Sequence, residues 1–255
     1  MQPIMDTSLW LTHKRRALAR PVDGADFLMR RTAEDLAERL GAVERRFGKA
    51  AVLFCQTPAA AETLAESGKV ADIVRVETDT AFLSGGDAGL IAPLETVPFE
   101  SESLDLAVSL LSLQAMNDIP GMLIQIRRAL RPDGLFLGAF AGAGTLFELR
   151  ESLLAAETEL YGGASPRVAP FTDVRDAGAL LQRAGLALPV ADVETVTVRY
   201  ASLFNLIADL RAMGETNALT DRSRRPGSRK LFARAAEIYA ERFSDPDGRV
   251  RASFS

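Results

Sequence analysis

Apolar and polar positions follow two different periods along this chain. Over residues 26–47 apolar side chains return at helical spacing (Phe27, Leu28, Leu36, Leu40, Val43, Phe47) among many charges, which predicts an amphipathic helix ending near Gly48. The period then changes, and residues 50–54 form a short apolar run of strand length. Thr57-Pro58 reads as a helix start, threonine as N-cap and proline at the first helical position, with Gly68 as the left-handed stop after Ser67. Further strands are predicted over 73–77, 105–111 and 135–140, and a helix over about 120–130 presents Met122, Leu123, Ile126 and Leu130 on one face. Strands alternating with helices imply a mostly parallel α/β sheet. In Pro132-Asp133-Gly134, proline fixes one dihedral and glycine is expected to take the unusual one.

Thr145 and Glu148 have the spacing of a capping box that would open a helix toward Tyr161, and residues 162–166 read as a loop. A helix over 173–184 is followed by Gly185, a valine- and threonine-rich strand by 193–200, helices by 202–213 and 230–243, and a final strand by 249–254. No repeat or clear linker interrupts the chain. The expectation is one domain over 1–255: a helical leader (1–48), an α/β core (49–200), a helical insertion (201–248) and a final edge strand (249–255).

With 255 residues, 47% hydrophobic and 25% charged, the composition is that of a globular protein and not of a disordered one. A net charge of -4 argues against a general nucleic-acid binder, although Lys14-Arg15-Arg16 and the stretch 222–230 are basic clusters able to meet an acidic partner or simply to be solvated. One cysteine cannot form an internal disulfide and one histidine cannot supply a histidine-rich metal site, so no metal is expected and a reducing compartment fits. No segment approaches the ~18 apolar residues of a membrane span, and residues 1–20 lack a signal-peptide core. Cytoplasm is the expected location; a transit peptide using Arg15, Arg16 and Arg20 is the alternative, opposed by Asp6.

The run Pro98-Phe99-Glu100-Ser101-Glu102-Ser103-Leu104-Asp105-Leu106-Ala107-Val108-Ser109, with the later turn at 130–136, resembles class I S-adenosylmethionine-dependent methyltransferases. Residues 112–121, 125–134, 144–150 and 209–219 together are similar to a narrower group, which contains the malonyl-carrier-protein methyltransferase of biotin synthesis and mitochondrial complex I assembly factors. The resemblance implies a Rossmann-like fold with helices on both faces, a mostly parallel sheet, an antiparallel final strand and a helical insertion before it. It also implies an S-adenosylmethionine site beyond the carboxyl ends of the strands. On that basis Cys55, Gln56, Glu77, Glu95, Ser109 and Gln114 are the candidate cofactor residues, and Thr145, Arg150, Arg167, Tyr200 and Asn217 the candidate substrate residues.

The chain departs from the family where the cofactor should be gripped. Val52 stands where the family has an acid, Phe54, Gln56 and Pro58 stand on glycines, Pro93 replaces the adenine-side acid, and Gln114 and Ala115 replace histidine and tryptophan. Of the expected contacts only Glu77 matches. Each lost hydrogen bond to a charged group is worth roughly 1.5–3 kcal/mol, so two losses weaken binding by about two to four powers of ten. Phenylalanine and proline are further expected to block backbone approach and to exclude the dihedrals glycine permits. Two readings follow: a binding or assembly protein with a degenerate site or an altered ligand, and a working transferase that holds its cofactor through side chains such as Gln56 and Glu77. The transferase would act mainly by proximity and orientation, with no catalytic residue assigned. A protein or an acidic small molecule suits the arginines as partner. Cys55 is either core or a thiol lowered by a helix N-terminus. Gly142 and Gly144 could cradle an anion with free amides. His13 reads as a surface or packing residue, Glu100 and Glu102 as solvated, and the last strand as an edge open to completion by a partner.

Overall fold

The apolar runs become strands of a parallel sheet. The computed structural model describes residues 2–83, 89–224 and 227–255. In chain order its helices are α1 (Thr7–Leu18), α2 (Phe27–Gly41), α3 (Ala59–Glu66), α4 (Ile119–Ala129), α5 (Phe147–Tyr161), α6 (Val174–Arg183), α7 (Leu203–Ala212) and α8 (Arg229–Phe243). The strands are β1 (Phe47–Leu53), β2 (Val70–Glu77), β3 (Gly89–Ile91), β4 (Leu104–Leu110), β5 (Leu130–Ala139), β6 (Val196–Tyr200) and β7 (Val250–Phe254). Contacts group the chain into two units, Asp26–Phe140 with Arg175–Ala191, and Met1–Ala25 with Ala141–Val174 and Asp192–Ser255.

The first of these units holds a five-stranded sheet in the order β3-β2-β1-β4-β5, all neighbours parallel. Successive strand residues point to opposite faces. Ala50 and Val52 of β1, with Leu106 and Val108 of β4, pack on α2 and α3 through Leu36, Leu40, Ala60 and Leu64. Ala51 and Leu53, with Val76 and Ala107, pack on the opposite face with Met122, Leu123 and Ile126 of α4 and Leu180 of α6. Burial on both faces is why these strands read as unbroken apolar runs instead of alternating ones. Each fully buried aliphatic side chain contributes about 1.5–3 kcal/mol.

Several expectations are corrected here. α2 stops at Gly41, and Phe47 already belongs to β1. The helical spacing of Val43 and Phe47 is a coincidence of register, since Lys69 Nζ reaches back to hold the carbonyls of Leu40 (2.7 Å), Gly41 (2.9 Å) and Val43 (2.7 Å) where the helix ends. Pro58, not Thr57, occupies the N-cap of α3, with no side-chain cap bond. The expected turn lies inside β5, where the pairing with β4 shifts register, and it is Asp133 that takes the positive φ, 61°. Gly134 is needed for space, because a Cβ there would lie 2.9 Å from the Arg131 carbonyl oxygen. β3 was not legible, being three exposed residues along the edge of β2.

In the other unit α5 packs along α8, Trp10 of α1 is buried, and β6 pairs antiparallel with β7 from Val196↔Phe254 to Tyr200↔Val250. The antiparallel final strand thus belongs to a separate two-stranded sheet. The capping box at Thr145 and Glu148 does not form. Leu146, at φ 54°, precedes α5 without a side-chain cap. Thr145 Oγ1 instead donates to Ser255 O (2.9 Å) and accepts from Ser255 N (3.1 Å), while the Glu148 carboxylate accepts from Ser253 N (3.2 Å) and Ser253 Oγ (2.6 Å). Leu146 N and Gly142 N donate to Ser253 O and Ser255 O at 2.7 and 2.6 Å. The edge of β7 expected to await a partner is therefore bonded within the chain.

Glu148 is 3% exposed and its carboxylate fastens β7 to α5. Glu148→Ala should lower the unfolding free energy by about 2–4 kcal/mol in urea denaturation, with Glu148→Gln losing less. A change below about 0.5 kcal/mol would show that these bonds do not hold β7.

Candidate functional site

In an open parallel sheet the ligand end lies beyond the strand carboxyl ends, where the chain order reverses; here that is between β1 and β4. β1 runs into the turn at residues 54–58. Phe54 N donates to Val76 O at 2.8 Å, and Phe54 and Gln56 both adopt left-handed backbone, φ 57° and 62°. The expectation that phenylalanine and proline exclude glycine-like dihedrals is overturned at Phe54, whereas Pro58 keeps φ -74°. Such conformations cost a non-glycine residue about 1–3 kcal/mol. At Phe54 that strain is offset by burying the ring, 1% exposed, among Leu53, Val76, Val97, Leu113 and Met116.

Gln56 is fixed by its backbone N–H, which donates to Glu77 Oε1 at 2.8 Å. Glu77 closes β2 and is fully buried. The same Oε1 lies 3.3 Å from a guanidinium nitrogen of Arg75, which also donates to Phe82 O at 2.7 Å. Glu77 Oε2 has no hydrogen-bond partner. Burial pushes the Glu77 carboxyl up to about 7, against the lowering effect of the Gln56 amide and Arg75. Arg75 was missed in the sequence, although two residues before Glu77 on a strand is the position that shares its face. Thr57 Oγ1 and Thr78 Oγ1, just beyond β1 and β2, are also buried without partners.

The remaining candidate cofactor residues pair elsewhere. Cys55 is buried; its Sγ accepts from Leu110 N at 3.2 Å, joining the ends of β1 and β4, and desolvation pushes its thiol up to about 12. A thiol lowered by a helix N-terminus is thereby ruled out. Ser109 Oγ lies 2.9 Å from Ser112 Oγ. Gln114 Nε2 donates to Leu111 O at 2.9 Å, leaving Gln114 Oε1 buried and unpartnered. Glu95, at φ 69°, accepts from Asn117 N at 2.5 Å. Of the six, Gln56 and Glu77 are hydrogen-bonded to one another. A concavity of about 700 Å³ lies between α2 and α3, and none of the six lines it. Among the described residues no cluster of metal-ligating side chains occurs.

The five candidate substrate residues all lie in the other unit. Arg167 forms an ion pair with Glu157 (2.6 Å), whose second oxygen accepts from Ser165 N at 2.9 Å. Arg150 donates to Ala169 O at 3.2 Å, and Asn217 Nδ2 to Pro166 O at 3.0 Å, so three side chains pin the loop at 165–169. Tyr200 OH donates to Asp209 Oδ2 at 2.6 Å. Thr145, 4% exposed, is committed to Ser255. The proposed anion cradle is closed: Gly142 N donates to Ser255 O, Ala143 N to Thr172 O, and a Cβ on Gly144 would meet Ser255 Oγ at 2.6 Å.

Comparison with known proteins agrees with this architecture. Residues 55–138 match the methyltransferase domain family. The chain is 38% identical over 239 residues to the human mitochondrial arginine-hydroxylase NDUFAF5, covering 90% of this chain and 68% of that one. It is 31% identical over 247 residues to the malonyl-[acyl-carrier protein] O-methyltransferase of Halorhodospira halophila, covering 93% and 82%. Among solved structures, the YcgJ protein of Bacillus subtilis matches with a TM-score of 0.53 at 15% identity, over 87% of this chain and 93% of that one, which speaks for the fold alone. No helix among the described residues is long and apolar enough to cross a membrane. With its parallel sheet, its strand-end acid and a likeness to these relatives that runs over nine tenths of its length, the chain belongs to the S-adenosylmethionine-dependent methyltransferase superfamily, in the group that holds the NDUFAF5 arginine-hydroxylases and the malonyl-[acyl-carrier protein] O-methyltransferases.

Proposed function

We propose that this chain is a methyltransferase-fold binding or assembly protein whose S-adenosylmethionine site is degenerate. The observation that carries this reading is the first turn, where the left-handed backbone survives but a buried phenylalanine ring fills a glycine's place. The residues present fit the cofactor poorly. Val52 offers no carboxylate to an ammonium group, and the one matching acid, Glu77, spends Oε1 on Gln56 and Arg75. A protein or an acidic small molecule is the partner in this reading. It is supported by the resemblance to assembly factors and by relatives whose name places the substrate on a carrier protein. A cytoplasmic location belongs to the same reading and rests on cysteine usage; the mitochondrial label is that of the relatives.

A second reading is favoured by the buried oxygens Glu77 Oε2 and Gln114 Oε1, both unpartnered. Orphaned acceptors of this kind cost about 1–3 kcal/mol each, and a neutral ligand with hydroxyl or N–H donors would recover it. Such a ligand would be held by Glu77 and Gln114 in a site altered from the family's.

Calorimetric titration with S-adenosylmethionine and S-adenosylhomocysteine is expected to show no saturation up to about 1 mM, as two or more lost polar contacts require. A micromolar dissociation constant would overturn the degenerate site, and saturation by adenosine alone would establish the altered one. The state of Glu77 gives a second check. Because its folded pKa, about 7, lies above the ordinary 4.5, the folded chain keeps a proton that the unfolded chain has lost between those values. The stability this proton contributes is fully present below about pH 4.5 and is lost as pH rises through 7. Urea midpoints of the wild type should therefore fall from pH 5 to pH 8 more steeply than those of Glu77→Gln; parallel trends would contradict the assignment.

A further inference from the structure

Two basic clusters far apart in sequence meet on one surface of the unit that contains α1. α1 carries Lys14, Arg15 and Arg16 and no acid. It is tied along its length to residues 213–222. Asp6 N donates to Ala218 O and Thr220 N to Ile4 O, both at 2.8 Å; Lys14 Nζ donates to Met213 O at 3.1 Å, and His13 Nδ1 lies 3.2 Å from Thr216 O. This docking brings Arg222 to within 3.1 Å of Asp6. Both Arg16 and Arg222 act electrostatically on His13, and Arg222 and Arg224 on Asp6. The cations thus run as a strip from Arg224 and Arg222 past His13 to Arg16 and Arg20. Of the basic stretch 222–230 noted in the sequence, residues 225–226 lie outside the described residues.

Two acids on this surface are already paired. Asp6 is paired with Arg222, and Glu215 with Lys14. Arg16, Arg20 and Arg224 are exposed and make no side-chain bond among the described residues. Asp23 and Asp221 are the nearest other acids in sequence. Complementing the α1 dipole accounts for Arg15 and Arg16, but Arg20 and Arg224 lie outside the helix. We propose that this strip is an interaction surface for a short acidic polypeptide segment on a partner protein. α1 is about 18 Å long, the reach of about six extended residues. Charge complementarity makes the occupant anionic, and the length of the strip matches a short extended acidic segment. The inference is independent of the strand-end site.

The test is fluorescence anisotropy of a labelled peptide of about eight residues, alternating Glu and Ser, titrated with the full chain. Binding is expected to weaken between about 50 and about 300 mM salt. Arg16→Glu/Arg20→Glu/Arg224→Glu should weaken it about ten-fold or more, as the loss of several exposed ion pairs implies. Glutamine at the same positions should give a smaller loss in the same direction. Arg128→Glu/Arg175→Glu/Arg183→Glu changes the net charge equally at exposed positions of the other unit and should stay within about two-fold of the wild type. Equal losses in both charge-reversed variants, no loss in the strip variant although circular dichroism shows it folded, or tighter binding to phosphatidylserine vesicles than to the peptide would each overturn the proposal.

Discussion

A parallel sheet buried on both faces can accommodate polar groups only at the ends of its strands. This constraint organises the sheet-containing unit. Apolar side chains fill the centres of β1 and β4, and the polar residues of interest gather where the strands stop: Glu77 and Thr78 at the end of β2, Gln56 and Thr57 after β1, Gln114 after β4. Because the sheet interior cannot satisfy them, they must bond one another, accept a ligand or remain unpartnered. Glu77 does the first with one oxygen and leaves the other unpartnered.

The same constraint explains how the first turn tolerates its substitutions. A glycine there would give the left-handed backbone without strain. Phe54 and Gln56 adopt that backbone anyway, because Phe54 N continues the pairing to Val76 and Gln56 N caps the Glu77 carboxylate. A left-handed backbone at two non-glycine residues is thus held by tertiary bonds. Beside the turn lie the buried Phe54 ring and the Arg75 guanidinium paired with Glu77.

In the other unit the organising bonds are of a different kind. Glu148 and Thr145, spaced as a helix cap, are both turned to β7, and Arg150, Glu157 and Asn217 converge on the single loop at 165–169, which carries Arg167. Side chains with the chemistry to meet a substrate are used here to fix irregular backbone, which makes that loop a defined surface.

Strand and helix identity was legible because apolar runs and three-to-four spacing follow from burial itself, and the central strands and the helices around them appear where the spacing places them. The strand-end position of Glu77 was legible too, from the resemblance and from the limit of its apolar run. Where a polar side chain finds its partner was not. Thr145 and Glu148 satisfy a local rule on paper, yet bond to residues more than a hundred positions away; Lys69 ends a helix that its own sequence would prolong; and Asp133, not the adjacent glycine, takes the strained dihedral. Sequence alone determined the class of fold, through the periodicity of apolar residues, and the chemical departures at the first turn. Only the tertiary structure decided that Arg75 pairs with Glu77, that Phe54 takes a left-handed backbone, and that two basic clusters meet on one surface. Each of these depends on which distant groups share a buried or crowded space, and local sequence carries no record of that.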